Sequence, residues 1–162
     1  MQAAVAGDAS DRAIDECTRA LRYPHLSSTG AQQVTINRGV LRLRRSEFDL
    51  ALADFDEVIR LNANNAEGHL NRGTALLQLR RPGEAIAALT TAMSLGVTEP
   101  HKAYFNRGAA RESLGDLRGA YEDYSTALEI QPDWGPANVE LARFARGRRD
   151  HLATVLDSQP TP

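Results

Sequence analysis

The groups in this 162-residue sequence with reactive chemistry are four histidines, one cysteine and several adjacent acid pairs, and their spacing supports no reaction. His25, His69, His101 and His151 stand far apart, and none has a second His or a Cys at the short spacing a zinc site uses. Cys17 alone can form neither an internal disulfide nor a thiolate metal cluster. It reads either as a small packing residue or as a reactive thiol, and packing is the default. Asp56-Glu57 and Glu122-Asp123 read as solvated helix faces. No strand–turn–helix nucleophile elbow and no glycine-rich phosphate loop is present. The expectation is a chain that is not an enzyme and uses no metal and no cofactor.

What remains is the chemistry of recognition. The tripeptide Asn-Arg-Gly occurs three times, at Asn37-Arg38-Gly39, Asn71-Arg72-Gly73 and Asn106-Arg107-Gly108. Each asparagine amide offers donors and an acceptor suited to peptide backbone, or equally to bridging neighbouring helices. Each arginine could reach a ligand or pair with an acid on a neighbouring helix, such as Glu16, Asp54 or Asp123. Lys102 is the only lysine, and arginine supplies the rest of the 19 basic residues. The 21 acids leave a net charge of -2, and no basic face stands out, so no nucleic-acid partner is expected. No apolar run approaches the ~18 residues of a membrane span, so no membrane insertion is expected. No signal peptide is visible, and the opening Met1–Ala6 is compatible with a mature end carrying an added initiator.

The elements that must position these residues follow from the period of the repeat. The three glycines are 34 and 35 residues apart. Twelve residues after each comes Ala51, Ala85 or Ala120; four further on comes Phe55, Leu89 or Tyr124; three further on comes Val58, Ala92 or Ala127. Steps of four and three trace one face of a helix. Each unit therefore reads as two helices: the first over 32–45, 66–79 and 101–114, the second over 48–61, 82–95 and 117–130. Asn65 and Asp116 suit N-caps, and Pro82 and Pro100 suit a first helical turn. Glycine inside a helix costs about 1 kcal/mol against alanine. Three such costs at one register imply that a partner helix approaches too closely for a side chain.

This pattern resembles the tetratricopeptide repeat family. The third unit matches its small and large positions best, with Tyr104, Gly108, Gly115, Ala120, Tyr124, Ala127 and Pro132. Arg42 and Arg111 stand where the family prefers an aromatic, and Ser46 and Arg80 take the inter-helix place of Gly115. If that place needs a left-handed backbone, Arg80 is mildly strained. The resemblance implies an all-α, right-handed α-solenoid of antiparallel helix pairs in a single domain. Its parts are a partial N-terminal unit (8–26), three units (32–65, 66–100, 101–134), a capping helix (135–149) and a tail (150–162). The partial unit rests on Ala13, Cys17 and Ala20, which copy the second-helix spacing; a loop with Ser27, Ser28 and Gly30 joins it to the first unit. Arg143, Arg146, Arg148 and Arg149 suit the polar face and C-terminal dipole of a cap.

The resemblance also implies a protein-interaction adaptor whose first helices line a concave groove. Carried over residue by residue, the groove comprises Ile36, Asn37, Val40, Leu70, Asn71, Thr74, Lys102, Phe105 and Asn106, with Ile36, Leu70 and Phe105 as an apolar strip. Chaperone-binding members clamp a C-terminal carboxylate with basic residues and Asn. Asn71 and Lys102 match two clamp positions, but Ile36 and Val40 stand for Lys and Asn, and Asn106 stands for Arg. An acidic tail is therefore not the expected ligand; the partner is a peptide or protein segment of unidentified sequence. The rival reading is a structural unit that self-associates through its open N-terminal end.

Overall fold

The structure, a computed structural model, describes the backbone of residues 2–157 and the side chains of residues 11–147. Among these residues it is all helix: α1 (Gln2–Ala20), α2 (Ser28–Arg44), α3 (Phe48–Leu61), α4 (Ala66–Gln78), α5 (Pro82–Ser94), α6 (Pro100–Ser113), α7 (Leu117–Ile130) and α8 (Gly135–Asp157). The pairs α2/α3, α4/α5 and α6/α7 pack antiparallel and stack in chain order.

The ends of the helices follow from capping. Asn65 and Asp116 each accept a backbone N–H three residues on, from Gly68 and Gly119. Pro82 and Pro100 open α5 and α6, where their missing N–H removes no helical bond. Ser27 accepts from the Gly30 N–H, so α2 begins four residues earlier than expected and Ser28 and Gly30 belong to it rather than to a loop. The turns inside the units pass through left-handed backbone at Ser46 (φ 62°), Arg80 (φ 58°) and Gly115 (φ 82°), which meets the condition under which Arg80 is strained.

The core is a column of small and large side chains in alternation. Ala51, Ala85 and Ala120 are fully buried, as are Phe55 and Leu89. A Cβ placed on Gly39 would lie 2.5 Å from the Phe55 ring, and one on Gly108 would lie 2.8 Å from that of Tyr124. The glycines therefore make room for the large residue of the second helix, at a separation no real side chain tolerates.

The arginines of the tripeptide are structural. Arg38 reaches Asp54 at 2.7 Å, and Arg42 closes the other side of the same carboxylate at 2.8 Å. Arg107 and Arg111 hold Asp123 in the same way, at 2.7 and 3.0 Å. Arg42 and Arg111 thus replace the family's aromatic because a buried acid needs a second partner. The middle unit has Ala88 in place of the acid and Leu76 in place of the second arginine, both buried. With no acid at that register of its own second helix, Arg72 turns instead to Asp56 of the preceding one, at 2.7 Å.

Both terminal helices are longer than expected. α1 starts at Gln2, ahead of the partial unit expected over 8–26, and α8 runs through to Asp157, past the capping helix expected over 135–149. Arg143 and Arg146 are therefore mid-helix, and the C-terminal dipole does not account for them; Arg143 instead bridges to Glu112 at 2.5 Å and Glu140 at 2.7 Å. The expected tail beyond Asp157 lies outside the described residues, as does the start at Met1.

Candidate functional site

The first helices α2, α4 and α6 present their side chains to one side of the stack. Leu70, Asn71 and Thr74 on α4 meet Lys102, Phe105 and Asn106 on α6 around a pocket of about 280 Å³, and six of the nine expected groove residues are in it. Ile36 lies at a second hollow beside Gln33, Glu67 and Glu99. Asn37 is exposed and Val40 half-buried, and neither lines the pocket at Phe105. Ile36 and Leu70 are only 9% and 5% exposed, so they form floor rather than an open strip.

Sequence reasoning missed two walls of this pocket, Trp134 and Pro136. Trp134 packs edge-on against both Phe105 and His101, each at 4.9 Å between ring centres. Phe105 continues to Tyr124 at 5.3 Å. The signal was available: this is the only tryptophan in the chain, and it follows the Pro132-Asp133 turn that leads into α8. An indole placed there must fold over the preceding first helix to be covered at all.

The amides are partly spent within the solenoid. Asn106 donates to the Thr74 hydroxyl at 2.9 Å, bridging α6 to α4. Asn71 donates to the Glu67 carbonyl at 2.9 Å, and Asn37 accepts from Gln33 at 3.1 Å. Lys102 is held by Glu99 at 2.6 Å. Glu67 accepts the Thr98 backbone N–H at 3.0 Å, tying α4 to the loop before α6. The groove around Phe105 is thus an apolar hollow with neutral amides at its edge and its single cation already balanced.

His69 contacts the Ala63 carbonyl at 2.9 Å, a local contact at the start of α4. Burial pushes the Cys17 thiol above its ordinary pKa, which disfavours the thiolate. Among the described residues no cluster of three His, Cys, Asp or Glu could hold a metal ion, and no helix is long and apolar enough to cross a membrane.

A sequence profile described as tetratricopeptide repeat matches residues 101–133. The chain is 30% identical over 126 residues to serine/threonine-protein phosphatase 5 of Rattus norvegicus, a match covering 71% of this chain and 25% of that protein. It therefore spans about a quarter of the length of the curated relatives it matches. Among solved structures, the Arabidopsis OM64 TPR domain is 31% identical, with a TM-score of 0.68 over 72% of this chain and 96% of that one. The first TPR of Spaghetti (RPAP3), bound to the HSP90 peptide SRMEEVD, is 26% identical, with a TM-score of 0.69 over 78% and 99% of the two chains.

Proposed function

The chain belongs to the tetratricopeptide repeat family, a protein-interaction fold, and we propose that it is an adaptor whose groove holds a protein segment by an apolar side chain seated between Phe105 and Trp134. The observation that carries this reading is the pocket itself: Leu70 as floor, Phe105, Trp134 and Pro136 as walls, and Asn71 and Asn106 at the edge. Burying one Leu- or Phe-sized side chain there contributes about 1.5–3 kcal/mol, and edge amides fix the backbone that carries it.

The ligand differs in charge from the acidic tail that the Spaghetti domain binds. Lys102 is paired with Glu99, while Ile36, Val40 and Asn106 stand where chaperone-binding members carry Lys, Asn and Arg. Glu67 and Glu99 add negative charge beside Ile36. An acidic carboxylate tail would meet too few cations to offset its desolvation.

Trp134, as the sole tryptophan, makes the test direct: its fluorescence reports occupation of the pocket. Partners captured by the wild type should be lost with Asn71→Ala/Phe105→Ala, and their binding segments should shift Trp134 emission. The peptide SRMEEVD should leave emission unchanged at concentrations where those segments saturate. Tight binding of that peptide, or capture that ignores both substitutions, sinks the reading.

A further inference from the structure

The first-helix side of the stack holds two hollows, one on either side of α4. Toward α6 lies the apolar pocket of Leu70, Phe105 and Trp134. Toward α2 lies a hollow of about 330 Å³ with Ile36 as floor and Gln33, Glu67, Thr98 and Glu99 around it.

The two carboxylates of the second hollow differ in what they hold. Glu99 is paired with Lys102 at 2.6 Å. Glu67 is half-buried and accepts the Thr98 backbone N–H on one oxygen at 3.0 Å. Among the described residues no cation forms an ion pair with Glu67. Glu67, Glu99 and Lys102 together therefore leave one negative charge at the groove, and it sits on Glu67.

The hydrogen-bonding polarity of the groove points the same way. Asn71 bonds the Glu67 carbonyl, which can only accept, so the amide nitrogen of Asn71 must donate there. Asn106 bonds the Thr74 hydroxyl, whose own hydrogen goes to the Leu70 carbonyl, so Asn106 donates as well. Neither Oδ1 takes a hydrogen bond from a described residue. Lys102, the only lysine, spends its ammonium on Glu99. The groups left to a ligand are thus mainly acceptors: two amide oxygens and the second oxygen of Glu67.

Resting on the groove reading above, we infer that the partner is a cationic segment. It seats an apolar side chain between Phe105 and Trp134 and an Arg or Lys against Glu67. Both basic side chains carry donors and no acceptor, and their methylene stems suit the apolar floor at Ile36. Backbone N–H groups of the segment suit the amide oxygens. A wholly apolar segment across the second hollow would cover the Glu67 carboxylate and leave it unpaired, a desolvation cost that a cation offsets. An acidic segment would add like charge. Hollows on the two sides of one helix are on the order of one helix spacing apart, about 8–10 Å. An extended segment covers that in about three residues.

A displayed library of random peptides, selected on the full chain, reads this preference directly. The wild type should enrich Leu, Phe or Trp together with Arg or Lys about three positions away. Glu67→Gln, which keeps an acceptor for the Thr98 N–H, should retain the apolar preference and lose the basic one. A synthetic copy of an enriched peptide should shift Trp134 emission on binding. Glu67→Gln should weaken that peptide roughly five-fold, and replacing the peptide's basic residue with Gln should weaken its binding to the wild type to a similar degree. The two changes together should cost little more than either alone. Absence of any apolar enrichment, or enriched peptides that leave Trp134 emission unchanged, removes the groove reading and this inference with it. Peptides that shift Trp134 emission but carry no basic preference, or whose basic preference survives Glu67→Gln, leave the groove standing and overturn the cationic ligand.

Discussion

Gly73 on α4 and Leu89 on α5 lie so close that a Cβ on the glycine would sit 2.5 Å from the leucine Cγ. The contact explains why the chain accepts a helix-weakening residue at the centre of α4. Gly73→Leu should therefore overpack the pair and lower stability by about 1–3 kcal/mol. Chemical denaturation measures it; an unchanged midpoint would show that the helices separate freely at this point.

Buried and exposed partners of the same tripeptide arginine should behave differently. Asp54 is 4% exposed between Arg38 and Arg42, so Asp54→Ala leaves two guanidinium groups uncompensated. A loss of about 3–5 kcal/mol is expected. Asp56, 51% exposed beside Arg72, should cost no more than about 1 kcal/mol when replaced by alanine. Equal losses at the two sites would contradict the structural role given to Asp54.

Arg80 adopts φ 58° where Gly115 adopts φ 82° in the third unit. A left-handed backbone disfavours any residue with a Cβ by roughly 1–2 kcal/mol. Arg80→Gly should raise stability by up to about 1 kcal/mol, after the glycine's larger unfolded-state entropy is offset. The reverse change, Gly115→Arg, should lower it. Thermal melts of the two variants that move in the same direction would contradict the assignment.

Tyr124 gives the stability a defined alkaline limit. Burial, and then its hydrogen bond to Glu112 at 3.0 Å, raise the phenol above its ordinary 10.0. In the unfolded chain the phenol ionises near its ordinary value, while the folded chain keeps the proton. Above that pH the unfolded state binds fewer protons, so stability falls as pH rises. Tyr124→Phe should lose about 0.5–1.5 kcal/mol at neutral pH and decline less steeply above pH ~10. Stability curves of wild type and variant that run parallel through that range would remove Tyr124 as the cause.

Much of the fold was legible because a repeat states the same rule several times. One mid-helix glycine is weak evidence, whereas Gly39, Gly73 and Gly108, each followed by alanine and a large residue at fixed distances, describe a helix pair. The interior helices α3 to α7 begin within one residue of where the pattern put them. The ends were less legible, since they lack the second copy that exposes a register. The spacing does not mark the N-terminal end of α1 or the C-terminal end of α8, because the repeat states its rule only where one helix of a pair meets the other.

The sequence by itself determined the paired helices and the caps at Asn65 and Asp116, because local backbone preference and apolar period act over a few residues. It did not determine the ionic partners. Arg72 pairs backward to Asp56 and not with its own second helix, as Arg38 and Arg107 do, and that choice depends on Ala88 removing the nearer acid. Nor did it determine the groove wall. Trp134 sits on Phe105 only because the turn before α8 carries it across the preceding unit. Both are contacts between residues distant in the chain, and their energies depend on distances that exist only once the helices have stacked.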